Sequence, residues 1–348
     1  TNTSDLEKYM KEAVDVSDDS PILLDKFLND AIEVDIDLLC DGKDVYVAGI
    51  MEHIEEAGIH SGDSGCSLPP YTLKDKIVDE LKDQASKLAM ALKVIGLMNA
   101  QFAIKDDQIF LLEANPRASR TAPFVSKAIG LQLAKLGALV MSGATIKELS
   151  LPTERKNNSY FSVKEAVFPF SKFPEVDVLL GPEMKSTGEV MGFGKSFGEA
   201  YFKAQRAAGV ILPKTGNVFI SVRDHDKEPI CEVAAELINM GFDIYATSGT
   251  YLHLKESGVS CTKINKVKDG HPHIVDMIKN NEVHLIINTT EGARSIKDSF
   301  SIRKEAQNHK ISLTTTVSGA KAFCKAIKFI DDFDAVDLKL RHESLTVN

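Results

Sequence analysis

The chain has 348 residues, 43% of them hydrophobic and 26% charged, an ordinary globular composition with length for two or three domains. With 41 basic and 50 acidic side chains its formal charge is −9, which argues against a general binder of nucleic-acid phosphates. There is no run of about 18 consecutive apolar residues to span a membrane, and no basic-then-apolar leader opens the chain.

The acidity is uneven. Residues 1–208 hold 23 basic and 32 acidic side chains, whereas residues 209–348 hold 18 of each. The front is therefore where acidic ligands for a cation are expected, and the back reads as a separate, neutral unit. Cys40, Cys66, Cys231, Cys261 and Cys324 are odd in number and contain no CxxC pair, which predicts free thiols in a reducing cytoplasm. Thr1 in place of Met predicts a processed chain or a piece of a longer one.

In chain order, Ser4-x-x-Glu7 reads as a capping box opening a helix to about Val14, broken by Asp18-Asp19-Ser20-Pro21. Ile22 to Leu24 begins a β-like region. Ala31 to Leu39 alternates Glu33, Asp35 and Asp37 with apolar residues, which predicts a half-buried strand. Gly42 turns the chain into a second strand, Val45 to Met51. Residues 52–71, with Gly58, Gly62, Gly65, Pro69 and Pro70, read as a long functional loop. A helix is expected over Lys74–Lys93, a hairpin from Met98–Ile104 and Ile109–Leu112, and one helix over Pro123–Ser142. Ser150 to Ser159 is polar and irregular, and a helix closes the front near Phe197–Ala208. From Gly216 strands alternate with helices, at Asn217–Val222, Asp243–Thr247, Leu285–Thr289 and Ile311–Thr315, which predicts a parallel α/β sheet.

The hairpin carries the chemistry of the front half. A three-residue loop, Asp106-Asp107-Gln108, sets Gln101 opposite Glu113. One face then holds Phe102, Ile104, Phe110 and Leu112, and the other Asn99, Gln101, Glu113 and Asn115. Gln101, Glu113 and Asn115 thus converge as hard oxygen ligands with a single carboxylate, a set suited to magnesium that also holds phosphate. Arg117 and Arg120 follow at once, placed to hold a transferred phosphoryl group. The alternative is the polar solvent face of an ordinary hairpin.

These residues carry a resemblance. Met98-Asn-Ala-Gln-Phe, the run Leu112-Glu-Ala-Asn-Pro-Arg-Ala-Ser-Arg-Thr-Ala-Pro-Phe-Val-Ser-Lys, and Glu52-His-Ile-Glu-Glu-Ala-Gly-Ile-His-Ser-Gly-Asp-Ser resemble an ATP-grasp fold of the carbamoyl phosphate synthetase large-chain family. The likeness implies that Gln101, Glu113 and Asn115 are Mg²⁺ or Mn²⁺ ligands. It implies nucleotide contacts from Lys26, Leu28, Glu33 (on ribose), Gly58, Ile59, His60 and Ser61, with Gln101 and Glu113 at the phosphates. A histidine is usual in the family where Lys26 stands. Glu55, Asp63 and Glu165 match an ornithine pocket found in some members; taken singly, each reads more readily as a solvated surface charge.

Domain order implies the second half of that large chain, which converts carbamate and ATP to carbamoyl phosphate and ADP for pyrimidine and arginine synthesis. Its implied partners are a glutamine amidotransferase small subunit, bicarbonate and ammonia, with no nucleic acid or membrane; K⁺ and a homo-oligomer are also allowed. The family's upstream lobe, with a phosphate-contacting Arg and a Gly-rich loop, does not precede Thr1. The chain alone is therefore expected not to turn over, and ADP release from carbamate at the rate of a complete enzyme would contradict this. The implied partition is a partial ATP-grasp domain over 1–150, an associated connecting segment over 151–208, and a methylglyoxal-synthase-like allosteric domain over 209–348.

In that last domain, Thr247-Ser-Gly-Thr250, Asn288-Thr-Thr290 and Thr314-Thr-Thr-Val-Ser318 place small hydroxyl residues at strand ends before helices, on one edge of a parallel sheet. Lys227 and Lys266 add positive charge. Ordinary N-capping is the alternative. By resemblance, Lys227, Thr247, Thr250, Lys266, Asn288 and Thr290 line a nucleotide-effector pocket whose usual occupant is UMP. Two further readings compete. One is a nucleotide-sensing module whose front half only docks. The other, an active methylglyoxal synthase, is disfavoured because those three loops offer no carboxylate base.

Overall fold

The structure is a computed structural model that describes residues 3–17, 27–152, 160–173, 175–332, 334–339 and 342. Lys26, the β-like stretch at Ile22–Leu24 and most of the polar loop after Ser150 lie outside those residues. Helix α1 (Thr3–Ser17) opens the chain near the expected capping box.

Strands β1 (Ile32–Asp41) and β2 (Val45–Glu56) pair antiparallel across Gly42, whose φ of 84° suits glycine. The expected loop over 52–71 is shorter than predicted, because β2 runs on to Glu56 and β3 (Cys66–Leu68) pairs with it at Glu52 and His53. Helix α2 (Asp75–Ala91) buries Ile77, Leu81, Ala85 and Ala89 at four-residue spacing. Hairpin strands β4 (Ile95–Lys105) and β5 (Gln108–Asn115) follow.

The hairpin loop corrects the expected one. Lys105 faces Gln108, so the turn has two residues, Asp106 and Asp107, with φ of 51° and 60°. The register then shifts between Phe102 and Gln101, leaving Leu112 as the extra residue of a bulge. The bulge restores Gln101 opposite Glu113 and Asn99 opposite Asn115. The two-residue turn sets Phe110 opposite Ala103, on the polar side, and the bulge leaves Leu112 50% exposed; Phe102, Ile104 and Ile109 meet the core instead.

The single helix expected over Pro123–Ser142 is two, α3 (Ala122–Ile129) and α4 (Leu133–Met141). Gly130, left-handed at φ 73°, ends the first, and the pair bends by 109°. Strands β6 (Phe161–Val167) and β7 (Gly188–Gly194) complete a seven-stranded antiparallel sheet ordered β5-β4-β1-β2-β3-β6-β7, so residues beyond 150 extend the same sheet. No single helix among the described residues is long and apolar enough to cross a membrane.

Helix α5 (Phe197–Ala207), capped by Ser196 Oγ accepting the Glu199 N–H, leads into the parallel part. There β8 (Gly216–Ser221), α6 (Lys227–Asn239), β9 (Phe242–Ala246), α7 (Ser248–Glu256), β10 (Thr262–Lys263), α8 (Ile274–Lys279), β11 (Leu285–Asn288), α9 (Gly292–Asn308), β12 (Ser312–Thr314) and α10 (Val317–Ile327) alternate. The five parallel strands run β10-β9-β8-β11-β12; the short edge strand β10 is the one the sequence pattern missed. One core cluster runs from Ile54 and Val163 of the antiparallel sheet through Phe197 and Tyr201 of α5 to Val218, Ile220 and Phe323. The two sheets are thereby packed into one body.

Candidate functional site

The front site is built on one face of β1, β4 and β5. In the register of β1 with β4, Asp35 faces Gln101 and Asp37 faces Asn99. These carboxylates were expected on a half-buried strand. Instead both faces of β1 are covered, with Glu33, Asp35 and Asp37 at 5%, 1% and 3% exposure. Buried carboxylates need donors, and they have them. Asp37 accepts from Ser119 Oγ at 2.7 Å, Thr121 Oγ1 at 2.7 Å and Asn99 Nδ2 at 3.0 Å. The stretch just after β5, which holds Arg117 and Arg120, is thus moored to β1.

Asp35 meets His53 Nε2 at 2.8 Å and accepts from Asn99 Nδ2 at 3.2 Å. Burial pushes the Asp35 carboxyl up, but the hydrogen bonds from His53 and Asn99 outweigh it and hold the pKa below the ordinary value. Burial works against a charged His53 ring, yet Cys66 and Asp35 raise its pKa well above normal. His53 lies between Asp35 and Glu33, its Nδ1 3.9 Å from Glu33 Oε1. Desolvation raises the pKa of Glu33 itself, against the pull of His53. Sequence reasoning missed Asp35, Asp37, His53, Asn99, Ser119 and Thr121 as one network; the Glu33-x-Asp35-x-Asp37 alternation was its available signal.

Gln101, Glu113 and Asn115 stand together on this face. Asn115 Nδ2 donates to Glu113 Oε1, and Arg117 donates to Asn115 Oδ1 at 3.2 Å. Glu113 is exposed, while Gln101 and Asn115 are half-buried. Oxygen-bearing side chains with one accessible carboxylate fit a hard divalent cation. Arg120 instead contacts the Met184 sulfur. The Gly58–Ser61 run borders the same strand. Gly58, at φ 101°, donates its N–H to Glu33 Oε2 at 3.3 Å, and its open Cα face meets the Phe27 ring, next to half-buried Leu28. His60 N–H donates to Gly181 O at 2.9 Å, Lys164 Nζ to Ser61 O at 2.9 Å, and Ile59 is half-buried.

Glu55 and Glu165 also come together, both lining Gly65, where Glu55 Oε2 accepts the Gly65 N–H at 2.7 Å. Asp63 is occupied differently, accepting the backbone N–H groups of Lys185 and Ser186 at 2.8 and 2.9 Å. Burial, then the neighbouring Glu55 charge, raises the Glu165 pKa well above the carboxylate range, and its Oε2 has no hydrogen-bond partner. A carboxyl raised on folding stabilises the fold below its unfolded pKa, and that contribution is lost as pH rises through the folded pKa. Melting temperature should therefore fall from mildly acidic to mildly alkaline pH. Glu165→Gln should flatten that slope and gain about 1 kcal/mol at the alkaline end; parallel pH–melting curves for the two proteins would refute this.

The second site is a cavity of about 640 Å³ in the parallel part, walled by Ser221, Arg223, Thr247, Lys266, Lys268, Thr289, Glu291, Arg294, Ser295 and Asp298 among others. It lies at the carboxyl ends of β8, β9 and β11, where the strand order reverses at β8 (β9 lies on one side and β11 on the other), the usual ligand crevice of an open α/β sheet. Of the six expected effector residues, Thr247 and Lys266 are on the wall. Thr247 makes no side-chain cap to α7; its hydroxyl is 3.0 Å from Ser221 Oγ.

The other four stand around the wall rather than on it. Lys227 Nζ pairs with Asp224 at 2.7 Å, and Thr250 Oγ1 accepts the Val222 N–H at 3.2 Å. Asn288 Nδ2 donates to Ser221 O at 3.3 Å, and Thr290 is half-buried beyond β11. The third hydroxyl motif takes the capping alternative, since Thr316 Oγ1 accepts the Gly319 N–H at 3.0 Å to start α10. Sequence reasoning missed Arg223, Lys268 and Arg294. The three strand-end motifs carry no carboxylate, but Asp224, Glu291 and Asp298 reach the wall from segments outside them. Lys268 pairs with Asp298 at 3.0 Å.

Arg223 and Arg303 are among the residues that join this part to the front. Arg223 donates to Asp30 at 2.9 Å and to Glu56 at 3.2 Å, while holding Asp226 at 2.8 Å. Arg303, 1% exposed on α9, pairs with Asp177 and donates to Ile296 O at 2.9 Å. The segment it anchors is tied on to Lys185, whose Nζ donates to Asp177 O and Leu179 O, and to Gly181, which accepts the His60 N–H.

Residues 1–149 match the family model "Carbamoyl-phosphate synthase L chain, ATP binding domain", and residues 229–315 match "MGS-like domain". The chain is 58% identical over 325 residues to a carbamoyl phosphate synthase large chain of Pseudomonas syringae pv. tomato, covering 93% of this chain and 30% of that one. To the large chain of Ralstonia nicotianae it is 55% identical over 346 residues, covering 98% and 32%. Among solved structures, a biotin carboxylase domain of a single-chain bacterial carboxylase aligns over 53% of this chain and 47% of its own, with TM-score 0.42 and 16% identity. The chain thus spans about a third of the length of its curated relatives. Near-complete coverage of this chain at this identity, with matches to the large chain's ATP-binding domain and then to an MGS-like domain, means that the chain belongs to the carbamoyl phosphate synthase large-chain family, as a C-terminal part of it.

Proposed function

We propose that this chain serves the ATP-dependent formation of carbamoyl phosphate from carbamate, under control of an anionic effector in the parallel domain. The observation that carries this is the face on which Gln101, Glu113, Asn115 and Arg117 converge beside Glu33 and the Gly58–Ser61 run. In the reaction a carbamate oxygen displaces ADP from the γ-phosphorus, which needs alignment and charge neutralisation rather than a covalent nucleophile. Gln101, Glu113 and Asn115 would hold Mg²⁺ or Mn²⁺, which neutralises phosphate charge when bound. Arg117 and Arg120 flank the transferred group, and Glu33 takes the ribose. A K⁺ ion, a glutamine amidotransferase small subunit that delivers ammonia, and self-association complete the reading, which places the product in pyrimidine and arginine synthesis. The five unpaired cysteines support a cytoplasmic setting.

Titration with Mg-ATP tests this reading. Glu113→Gln should weaken Mg²⁺-dependent binding at least about tenfold, the order of a lost charge-assisted contact. Equal affinity of the two proteins would favour a front half that only docks.

For the effector cavity, UMP, IMP and inorganic phosphate are the probes. UMP should raise the melting temperature, and Arg294→Ala should reduce that shift while leaving Mg-ATP binding intact. The absence of any shift with all three anions would remove the cavity from the proposal. The Glu55–Glu165 pair, with Asp63 nearby, supports a cationic amino acid such as ornithine as a further ligand.

A further inference from the structure

Between β10 and α8 lies a side-chain group that neither site uses. His271 Nδ1 is 2.6 Å from Asp276 Oδ2, and His273 Nδ1 is 3.2 Å from the same oxygen. The imidazole centroids are 4.3 Å apart, and the three donor atoms lie within 4.8 Å of one another. Among the described residues one other trio meets this spacing, Asp30, Glu56 and Asp226. Arg223 already neutralises that trio. The salt bridges of Asp276 among the described residues are those to the two histidines, so no lysine or arginine competes for its carboxylate.

We propose that His271, His273 and Asp276 form a site for a divalent transition-metal ion of the Zn²⁺ class. Two imidazole nitrogens and one carboxylate oxygen are a donor set that zinc takes at about 2.0–2.2 Å, leaving a fourth position for water. Donors around a tetrahedral ion of that size stand about 3.3 Å apart. The His273–Asp276 spacing already suits this, and the His271–Asp276 contact has to open slightly as the shared proton leaves.

Two of the three ligands are set by the backbone. The His273 N–H donates to Asp276 Oδ2 at 2.9 Å, and the Asp276 N–H reaches back to His273 Nδ1 at 3.4 Å. The second contact is long, so little is lost when that nitrogen turns to a metal. The His273 side chain is 8% exposed and that of His271 76%, giving one fixed ligand and one at an open mouth. The nitrogen donors separate this site from the all-oxygen face on the hairpin, because Mg²⁺ favours oxygen and dehydrates reluctantly. The segment also presents Lys266 and Lys268 to the anion cavity and is tied to His273 through the Asn265 bridge. A bound ion therefore stiffens it.

The test is titration of the chain with Zn²⁺, and with Co²⁺ as a spectroscopic probe, in excess Mg²⁺. One site should bind Zn²⁺ without displacement by Mg²⁺, and Co²⁺ should give visible bands of a nitrogen–oxygen site. His271→Ala, which removes an exposed ring, should weaken binding at least about tenfold. Asp276→Asn should also weaken it, and Glu113→Gln should not. Hydrogen exchange over residues 265–276 should slow with Zn²⁺ in the parent chain and not in His271→Ala. Unchanged affinity in His271→Ala, displacement by Mg²⁺, or a dominant cobalt–thiolate band from the free cysteines would each overturn the proposal.

Discussion

Arg303→Ala should destabilise the chain by about 3 kcal/mol in denaturant unfolding, one of the two largest losses expected from a single substitution here. Arg303 is almost fully buried, and its guanidinium spans Asp177 and the Ile296 carbonyl. Truncation leaves both acceptors without that donor and opens a cavity behind α9. The Asp177 side chain is 25% exposed, so water partly compensates it, which keeps the loss at the lower end for a broken buried pair. Arg303→Met separates the two contributions, since it keeps most of the aliphatic volume and loses only the pairing. It should therefore cost distinctly less than the alanine variant. A loss under about 1 kcal/mol for Arg303→Ala would make the pair an ordinary surface bridge. The position matters beyond stability, because α9 walls the cavity of the parallel part while Asp177 begins the segment that reaches His60 through Gly181.

Asp37→Ala should cost a comparable amount, about 3 kcal/mol, by stranding the Ser119 and Thr121 hydroxyls and the Asn99 amide inside the protein. It should also weaken Mg-ATP binding well below the melting temperature, where the fold is intact. Ser119 and Thr121 bracket Arg120, and Arg117 lies two residues before Ser119, so loss of the mooring frees the stretch that carries both arginines. Asp37→Asn keeps the volume and one acceptor oxygen but sets an amide donor against existing donors. An intermediate loss, about 2 kcal/mol, is expected for it. Full stability in both variants would show that the three donors find other partners.

Much of the candidate site was legible beforehand because its signals are local. The odd-numbered polar face of the hairpin and the strand–helix alternation after Gly216 each depend on a few neighbouring residues and a fixed period. The bulge at Leu112 shows the limit of such reasoning. A three-residue loop and a two-residue turn with one bulge give the same Gln101–Glu113 pairing, so the polar face was right although the turn and the place of Leu112 were not. The break at Gly130 was missed for a related reason: the apolar run across α3 and α4 continues, and only the left-handed glycine marks the bend.

By itself, then, the sequence determined the order of the two sheets, the family, and which side chains share the polar side of β4 and β5. Tertiary structure decided what covers each face. The period of β1 separates Glu33, Asp35 and Asp37 from the apolar side, but whether that polar side meets water depends on residues 82 and 84 positions away, at Ser119 and Thr121. The cavity gained Arg223, Arg294 and three carboxylates for the same reason. Parallel strands bring the ends of distant segments to one edge, and no periodicity within a segment records which others arrive there.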